Sequence, residues 1–102
     1  MSSVSLFIAY KTHPGKRADL LRAMEKFVKP EVAKNPGVLA FFICTDDKDP
    51  DTVRLFELYA DRAALDGVGK APWLAAYNAA IKPLLAQPGE VAIATKSWQK
   101  SD

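Results

Sequence analysis

The sequence predicts an α+β domain, a four-stranded antiparallel sheet in the order βαββαβ with its helices on one face. Three observations carry this. Four short stretches are apolar with the two-residue period of a strand, two stretches between them switch to helical period, and Pro, Gly, Asn or Asp marks most of the changes.

Val4, Leu6, Ile8 and Tyr10 alternate with Ser5, Phe7, Ala9 and Lys11 as a first strand, and Thr12-His13-Pro14-Gly15 ends it. From about Lys16, Leu20, Leu21, Met24, Phe27 and Val28 form a helical stripe with lysines, arginines and Glu25 largely opposite. Pro30 predicts a kink near the end of this helix, and Asn35-Pro36-Gly37 closes it. Strands follow over Val38–Thr45 and about Thr52–Ala60, joined by the acidic hairpin loop Asp46–Asp51. Asp61 is a natural N-cap for a short helix from Arg62 to Asp66, which Gly67 and Gly69 end. A longer helix starts at Pro72 with a stripe of Trp73 or Leu74, Tyr77, Ile81, Leu84 and Leu85, and Pro83 predicts a second kink. Val91–Trp98 supplies the last strand.

The length of 102 residues predicts one domain over 1–102, structured from about 4 to 99. A net charge of +2, from 14 basic and 12 acidic residues spread along the chain, argues against nucleic-acid binding, which needs a concentrated basic face. No apolar run approaches the roughly 20 residues that cross a bilayer, and no signal-peptide core is present. The lone cysteine, Cys44, cannot form an internal disulfide, so a cytoplasmic location and an inert core thiol are expected. In the second and third strands both alternating sets are apolar, so the back of the sheet is too apolar to face water; a homodimer packed sheet to sheet is expected.

Most candidate constellations fail on their own spacing. Asp47, Asp49 and Asp51 begin like a calcium loop, but Thr52 stands where glycine is needed and Leu58 where the bidentate glutamate should be. One histidine, His13, supports neither a multi-histidine metal site nor a catalytic triad, although its loop could place it at a pocket rim. Gly67-Val68-Gly69-Lys70 lacks the rest of a phosphate loop, and the third strand has no glycine and carries a carboxylate, a poor fit to an RNA-binding strand. Glu57 is more informative. It shares a strand face with Val53, Leu55 and Tyr59, and a carboxylate against apolar walls is pushed toward its neutral form, which suits proton transfer near neutrality. The structural alternative is a carboxylate satisfied by a basic side chain or backbone amides. Trp73 and Tyr77, with Asn78 beside them, suit either the core or the wall of a pocket for a flat ligand.

The chain resembles the antibiotic biosynthesis monooxygenase family over nearly its whole length. The resemblance rests on Pro14-Gly15 after the first strand, Asn35-Pro36-Gly37-Val38-Leu39-Ala40-Phe41, and Asp49-Pro50-Asp51 leading to Leu55-Phe56-Glu57-Leu58-Tyr59. Ala63-Ala64-Leu65-Asp66, Pro72, Ala75-Ala76-Tyr77 and Lys82-Pro83-Leu84-Leu85 extend it. It implies a ferredoxin-like fold assembled as a dimeric α+β barrel, a pocket between sheet and helices, and oxygenation of a quinol or polyketide-like aromatic without a metal, flavin or haem cofactor. On that resemblance Glu57 is the candidate base or hydrogen-bond acceptor. Trp73 and Tyr77 are stacking walls, Tyr59 and Asn78 orienting groups, and His13 a rim alternative. Members commonly carry histidines and a serine where this sequence has Val68, Ala71 and Trp73. Two other readings stay open: an oxygen-independent isomerase or decarboxylase, and a non-catalytic dimer that binds a hydrophobic ligand.

Overall fold

The computed structural model describes residues 2–102. In chain order it contains β1 (Val4–Lys11), α1 (Arg17–Phe27), α2 (Lys29–Ala33), β2 (Val38–Thr45), β3 (Thr52–Tyr59), α3 (Arg62–Gly69), α4 (Pro72–Ile81), a 3₁₀ turn (Lys82–Leu84) and β4 (Glu90–Thr95). The strands form one four-stranded sheet in the order β2-β3-β1-β4. Every neighbouring pair is antiparallel, which makes the architecture α+β and ferredoxin-like. Among the described residues no helix is long and apolar enough to cross a membrane.

Strand periodicity sorts the side chains onto two faces. Leu6 pairs with both Glu57 and Ile93, and Glu57 pairs with Phe41, so Phe41, Glu57, Leu6 and Ile93 form one row across the sheet. The next row, Phe42, Phe56, Phe7 and Ala92, points to the opposite face. A register shift between Val38 and Ala40 keeps β2 in phase with β3 and leaves Leu39 exposed.

The helices cover only the first of these faces. Leu20, Met24 and Val28 from the first helical segment and Tyr77 and Ile81 from α4 pack on Tyr10, Val53 and Leu55. This core sits over the end of the sheet where β1 finishes and β3 begins. The other end, around Leu6, Glu57 and Tyr59, is left to α3 and the first turns of α4. That division opens the cavity described below.

Two prolines act as helix starts rather than interior kinks. Pro30 lies in the first turn of α2, after α1 has ended at Phe27, and Pro83 lies within the 3₁₀ turn that follows α4. A first-turn residue has no intrahelical partner for its amide, so proline costs nothing there. The Asp61 side chain caps α3 by accepting from the Ala64 amide at 2.9 Å. The helix continues past Asp66 through Gly67 to Gly69, because an exposed glycine weakens a helix without stopping it. β4 is shorter than the sequence suggests. The Lys96 amide bonds the Ser3 carbonyl at 3.0 Å, and β1 offers no further strand for Ser97 and Trp98 to pair with, leaving Trp98 71% exposed. Cys44 is also displaced from its expected place: the β2 phase puts it on the uncovered face, where it is exposed.

The acidic loop is held by its own hydrogen bonds. Asp46 Oδ2 accepts from the Lys48 and Asp49 amides at 3.0 and 2.8 Å, and its Oδ1 accepts from Arg54 Nε at 2.9 Å. Lys11 Nζ donates to Asp49 Oδ2 at 2.9 Å, the main reason the Asp49 carboxyl is pulled down to about 2. Asp51 Oδ1 accepts from the amide of Gly15, whose φ of +79° suits only glycine. From α1, Arg17 Nη1 donates to the carbonyls of Asp46, Asp49 and Thr52 at 3.2, 3.0 and 3.3 Å, pinning the hairpin to the helix. Arg17→Ala is expected to cost about 1–2 kcal/mol in urea unfolding, because half-buried carbonyls lose a charged donor.

Gly37 fixes the approach of α3 to the start of β2. A Cβ placed there would lie 2.9 Å from Ala64 Cβ, a side-chain atom with no freedom to swing away. Gly37→Ala is therefore expected to destabilise by about 1–3 kcal/mol, read as a lower urea midpoint with the slope unchanged.

Candidate active site

A cavity of about 260 Å³ lies between the sheet and the α3–α4 segment. Its floor is the helix-side face of β1 and β3, with Leu6, Ile8, Leu55, Glu57 and Tyr59. α3 supplies Leu65, Val68 and Gly69, and α4 supplies Trp73, Leu74, Tyr77 and Asn78. Tyr10 and Val28 line it toward the core, and Phe41 and Val91 complete it from the two edge strands. The volume is slightly below the ~300–1,000 Å³ common for small-molecule sites, and the lining is mostly apolar with a few polar groups.

Glu57 is the one charged side chain in that lining. It is 4% exposed, and Tyr59 Oη donates to its Oε1 at 2.6 Å, within the range of a charge-assisted hydroxyl–carboxylate bond. The pair arises directly from the strand: residues two apart in β3 share a face, so the tyrosine ring lies alongside the carboxylate. Glu57 takes part in none of the salt bridges among the described residues. Burial accordingly pushes the Glu57 carboxyl above the usual carboxylate range, partly opposed by the Tyr59 hydrogen bond. The same burial and the adjacent carboxylate push the Tyr59 phenol far up, so that it remains a donor. Because Tyr59 occupies Oε1, Oε2 is the oxygen left for a ligand.

The structure brings Glu57, Tyr59, Trp73, Tyr77 and Asn78 to one cavity. Trp73 is half-buried, Tyr77 is buried, and Asn78 reaches the lining from the exposed side of α4. His13 is not brought there. It is exposed in the turn after β1, where its backbone amide bonds the Leu84 carbonyl at 2.9 Å and its carbonyl accepts from Thr12 Oγ1 at 2.9 Å. It is absent from the lining, because the turn follows the end of β1 farther from Leu6, the partner of Glu57. Of the positions where the family commonly has histidine or serine, Val68 and Trp73 line the cavity, while Ala71 does not. Tyr10 also lines the cavity, and its phase with Leu6 and Ile8 in β1 is the sequence signal for it. Among the described residues no group of three or more His, Cys, Asp and Glu side chains is arranged to hold a metal ion.

The family model described as antibiotic biosynthesis monooxygenase matches residues 3–80. A Caulobacter crescentus protein named for the same family superposes with a TM-score of 0.88 at 21% identity, covering 95% of this chain and 92% of that one. A Mycobacterium tuberculosis protein superposes at 0.85 with 23% identity, covering 97% and 99%. At these identities the superpositions establish a shared fold. An uncharacterized Synechocystis protein is 26% identical over 83 residues, which are 81% of this chain and 56% of that protein. The chain thus spans little more than half the length of this curated relative.

Proposed function

The chain belongs to the antibiotic biosynthesis monooxygenase family, and from that premise we propose that it oxygenates a small electron-rich aromatic compound in the cavity above Glu57, without a cofactor. The observation that carries the reading is a buried carboxylate without a cationic partner, oriented by Tyr59, in an otherwise apolar cavity. Burial disfavours the charged form of such a group, so it gains affinity for a proton as water is excluded.

The chemistry asks little more of the protein. Triplet oxygen reacts slowly with closed-shell molecules, so the substrate must first become an electron-rich anion. Glu57 takes a proton from the substrate, and the anion passes one electron to O2. Recombination of the two radicals forms a carbon–oxygen bond, and the resulting peroxide loses water to leave a new carbonyl. In net terms a CH2 group and O2 give C=O and H2O. All four electrons come from the two C–H bonds of the substrate, so no external reductant enters. Trp73 and Tyr77 flank the ring, Asn78 orients its polar edge, and the dry cavity protects the anion from the solvent. The cavity volume suits a compact aromatic of one or two rings.

The proposed assembly is a homodimer formed through the uncovered sheet face. Phe7, Phe56 and Phe42 stack in a row across it, with ring centroids 5.2 and 5.7 Å apart, and Phe42 is 56% exposed in one protomer. β4, an edge of the sheet, is exposed along its whole length. A contiguous apolar face and an apolar edge strand are both features that proteins cover, and a second copy of the same face is self-complementary.

Oxygen uptake by metal-stripped protein with a panel of hydroquinones and hydroxyanthrones, corrected for autoxidation, tests the activity. Saturable uptake is expected. Substrate consumption in the absence of oxygen would instead identify an isomerase or decarboxylase, and saturable binding without product would identify a ligand-binding protein.

A further inference from the structure

Glu57 and Tyr59 are both buried, so a ligand meets them only beneath the elements that cover the sheet. Most of the surrounding wall is fixed. β1 and β3 are hydrogen-bonded to a strand on either side, and α4 is anchored through the buried Tyr77 and Ile81. α3 differs. None of its residues is buried, although Leu65, Val68 and Gly69 form part of the lining. Its two halves are also held unequally. The Asp61 side chain caps the start, the Ala60 amide bonds the Gly37 carbonyl at 2.9 Å, and Ala64 lies against Gly37. The second half carries Gly67 and Gly69. A Cβ added at either would meet nothing within 4 Å, and neither has a positive φ. Neither close packing nor turn geometry therefore calls for glycine at these positions. The physical effect that remains is a weaker helix than alanine would give. At the end of α3 the Lys70 amide is shared between the Asp66 and Gly67 carbonyls at 3.2 and 3.3 Å. Beyond it Ala71 is extended, and Pro72, which has no amide hydrogen, starts α4.

We propose that the second half of α3, from Leu65 to Lys70, is a lid that swings off the sheet to admit a ligand and closes again over it. The capped start of the helix and the extended Ala71 before Pro72 are the two hinges. This rests on the cavity being the ligand site, and it adds how that site is entered. Opening uncovers only the half-buried side chains of Leu65 and Val68, so little packing is lost, and segments that move are drawn from such weakly packed parts of a fold. Closure restores the apolar roof and shuts the solvent out of the cavity. The two glycines set the balance. By weakening the helical form they raise the open population, and the rates at which a ligand enters and leaves follow that population.

Amide hydrogen exchange and stopped-flow binding of 2-naphthol, read by quenching of tryptophan fluorescence, test the lid apart from turnover. In the wild type the amides of residues 67–70 should exchange by local opening, about a hundredfold or more faster than the paired amides of β3. Gly67→Ala, at a position outside the cavity lining, should slow that exchange by about two- to fivefold, the helix preference of alanine over glycine. Association and dissociation of 2-naphthol should both slow by the same factor and leave Kd unchanged, because the free and bound proteins are closed alike. Gly69→Ala should act in the same direction, and the double variant should slow both rates by about tenfold. Each added methyl enters open space, so both variants should fold and melt about 2–6 °C higher. A purely structural gain in helix stability would raise the melting temperature and leave the binding rates alone. Exchange that slows while the rates stay unchanged would therefore overturn the lid and leave the cavity reading intact. Exchange at residues 67–70 as slow as in β3 would overturn it as well. A wild type that binds no 2-naphthol would overturn the cavity reading, and the lid with it.

Discussion

Glu57→Gln is expected to lower turnover by about 10²–10⁴-fold in an otherwise intact protein, the range a positioned base contributes. Glutamine keeps the shape of the side chain and can still accept from Tyr59 at Oε1, but it cannot take a proton at Oε2. The loss should appear in kcat more than in KM, because the base acts on the transition state and the walls that bind the ring are untouched. The fold should survive for a reason that follows from the proton's position. Burial raises the Glu57 carboxyl, so the folded state holds that proton more tightly than the unfolded chain does. Stability from this group is greatest below the unfolded value and falls as pH rises through the folded one. At neutral pH the charged carboxylate is a burden on the fold, and Gln removes it. The melting temperature of the variant should therefore equal or exceed that of the wild type near pH 7. The pH profile offers a second readout: wild-type turnover should fall as pH drops through the raised value, on an acid limb lying above the usual carboxylate range. Unchanged turnover in Glu57→Gln removes the residue from the base role.

The parts of this site that were legible in the sequence are those set by short-range periodicity. Glu57 and Tyr59 are two apart in a strand, and that spacing alone puts them on one face. The stripe of Trp73, Tyr77 and Ile81 follows in the same way from helical period. What the sequence does not carry is the relation between elements. Whether the loop after β1 reaches the pocket depends on which end of the sheet the helices leave open, and that is decided by α1 and α4 packing over Tyr10 and Val53. His13 sits at the covered end and so falls outside the site. The same packing draws Tyr10 into the cavity wall. The helix boundaries at Phe27 and Gly69 escape for a different reason. Proline and glycine each mark both a helix end and a tolerated terminal position, and only the hydrogen bonds distinguish the two. The length of β4 is likewise fixed by its partner, since β1 begins at Val4 and Trp98 has nothing to pair with.

Phe42→Asp is expected to convert a dimer into a monomer. Phe42 lies on the edge strand β2 at one end of the aromatic row, stacked on Phe56 and otherwise open, so a lone protomer loses little when the ring is replaced. In a two-fold interface every residue is used twice, and one substitution removes two rings from contact and places two carboxylates there. Full burial of a phenylalanine is worth about 1.5–3 kcal/mol, so two contribute about 3–6 kcal/mol, with the lower end favoured because Phe56 already covers part of each ring. That corresponds to a rise of at least ~10² in the dissociation constant, before the penalty for unpaired charge is added. Sedimentation equilibrium at tens of micromolar should give the wild type twice the mass of the variant, with the far-ultraviolet circular dichroism of the two superimposable. A wild type that sediments as a monomer would show that the row of phenylalanines is covered by something other than its own copy. Val91 and Ile93 of β4 belong to the opposite, helix-side face, so the substitution leaves the cavity lining untouched and isolates the contribution of the aromatic row.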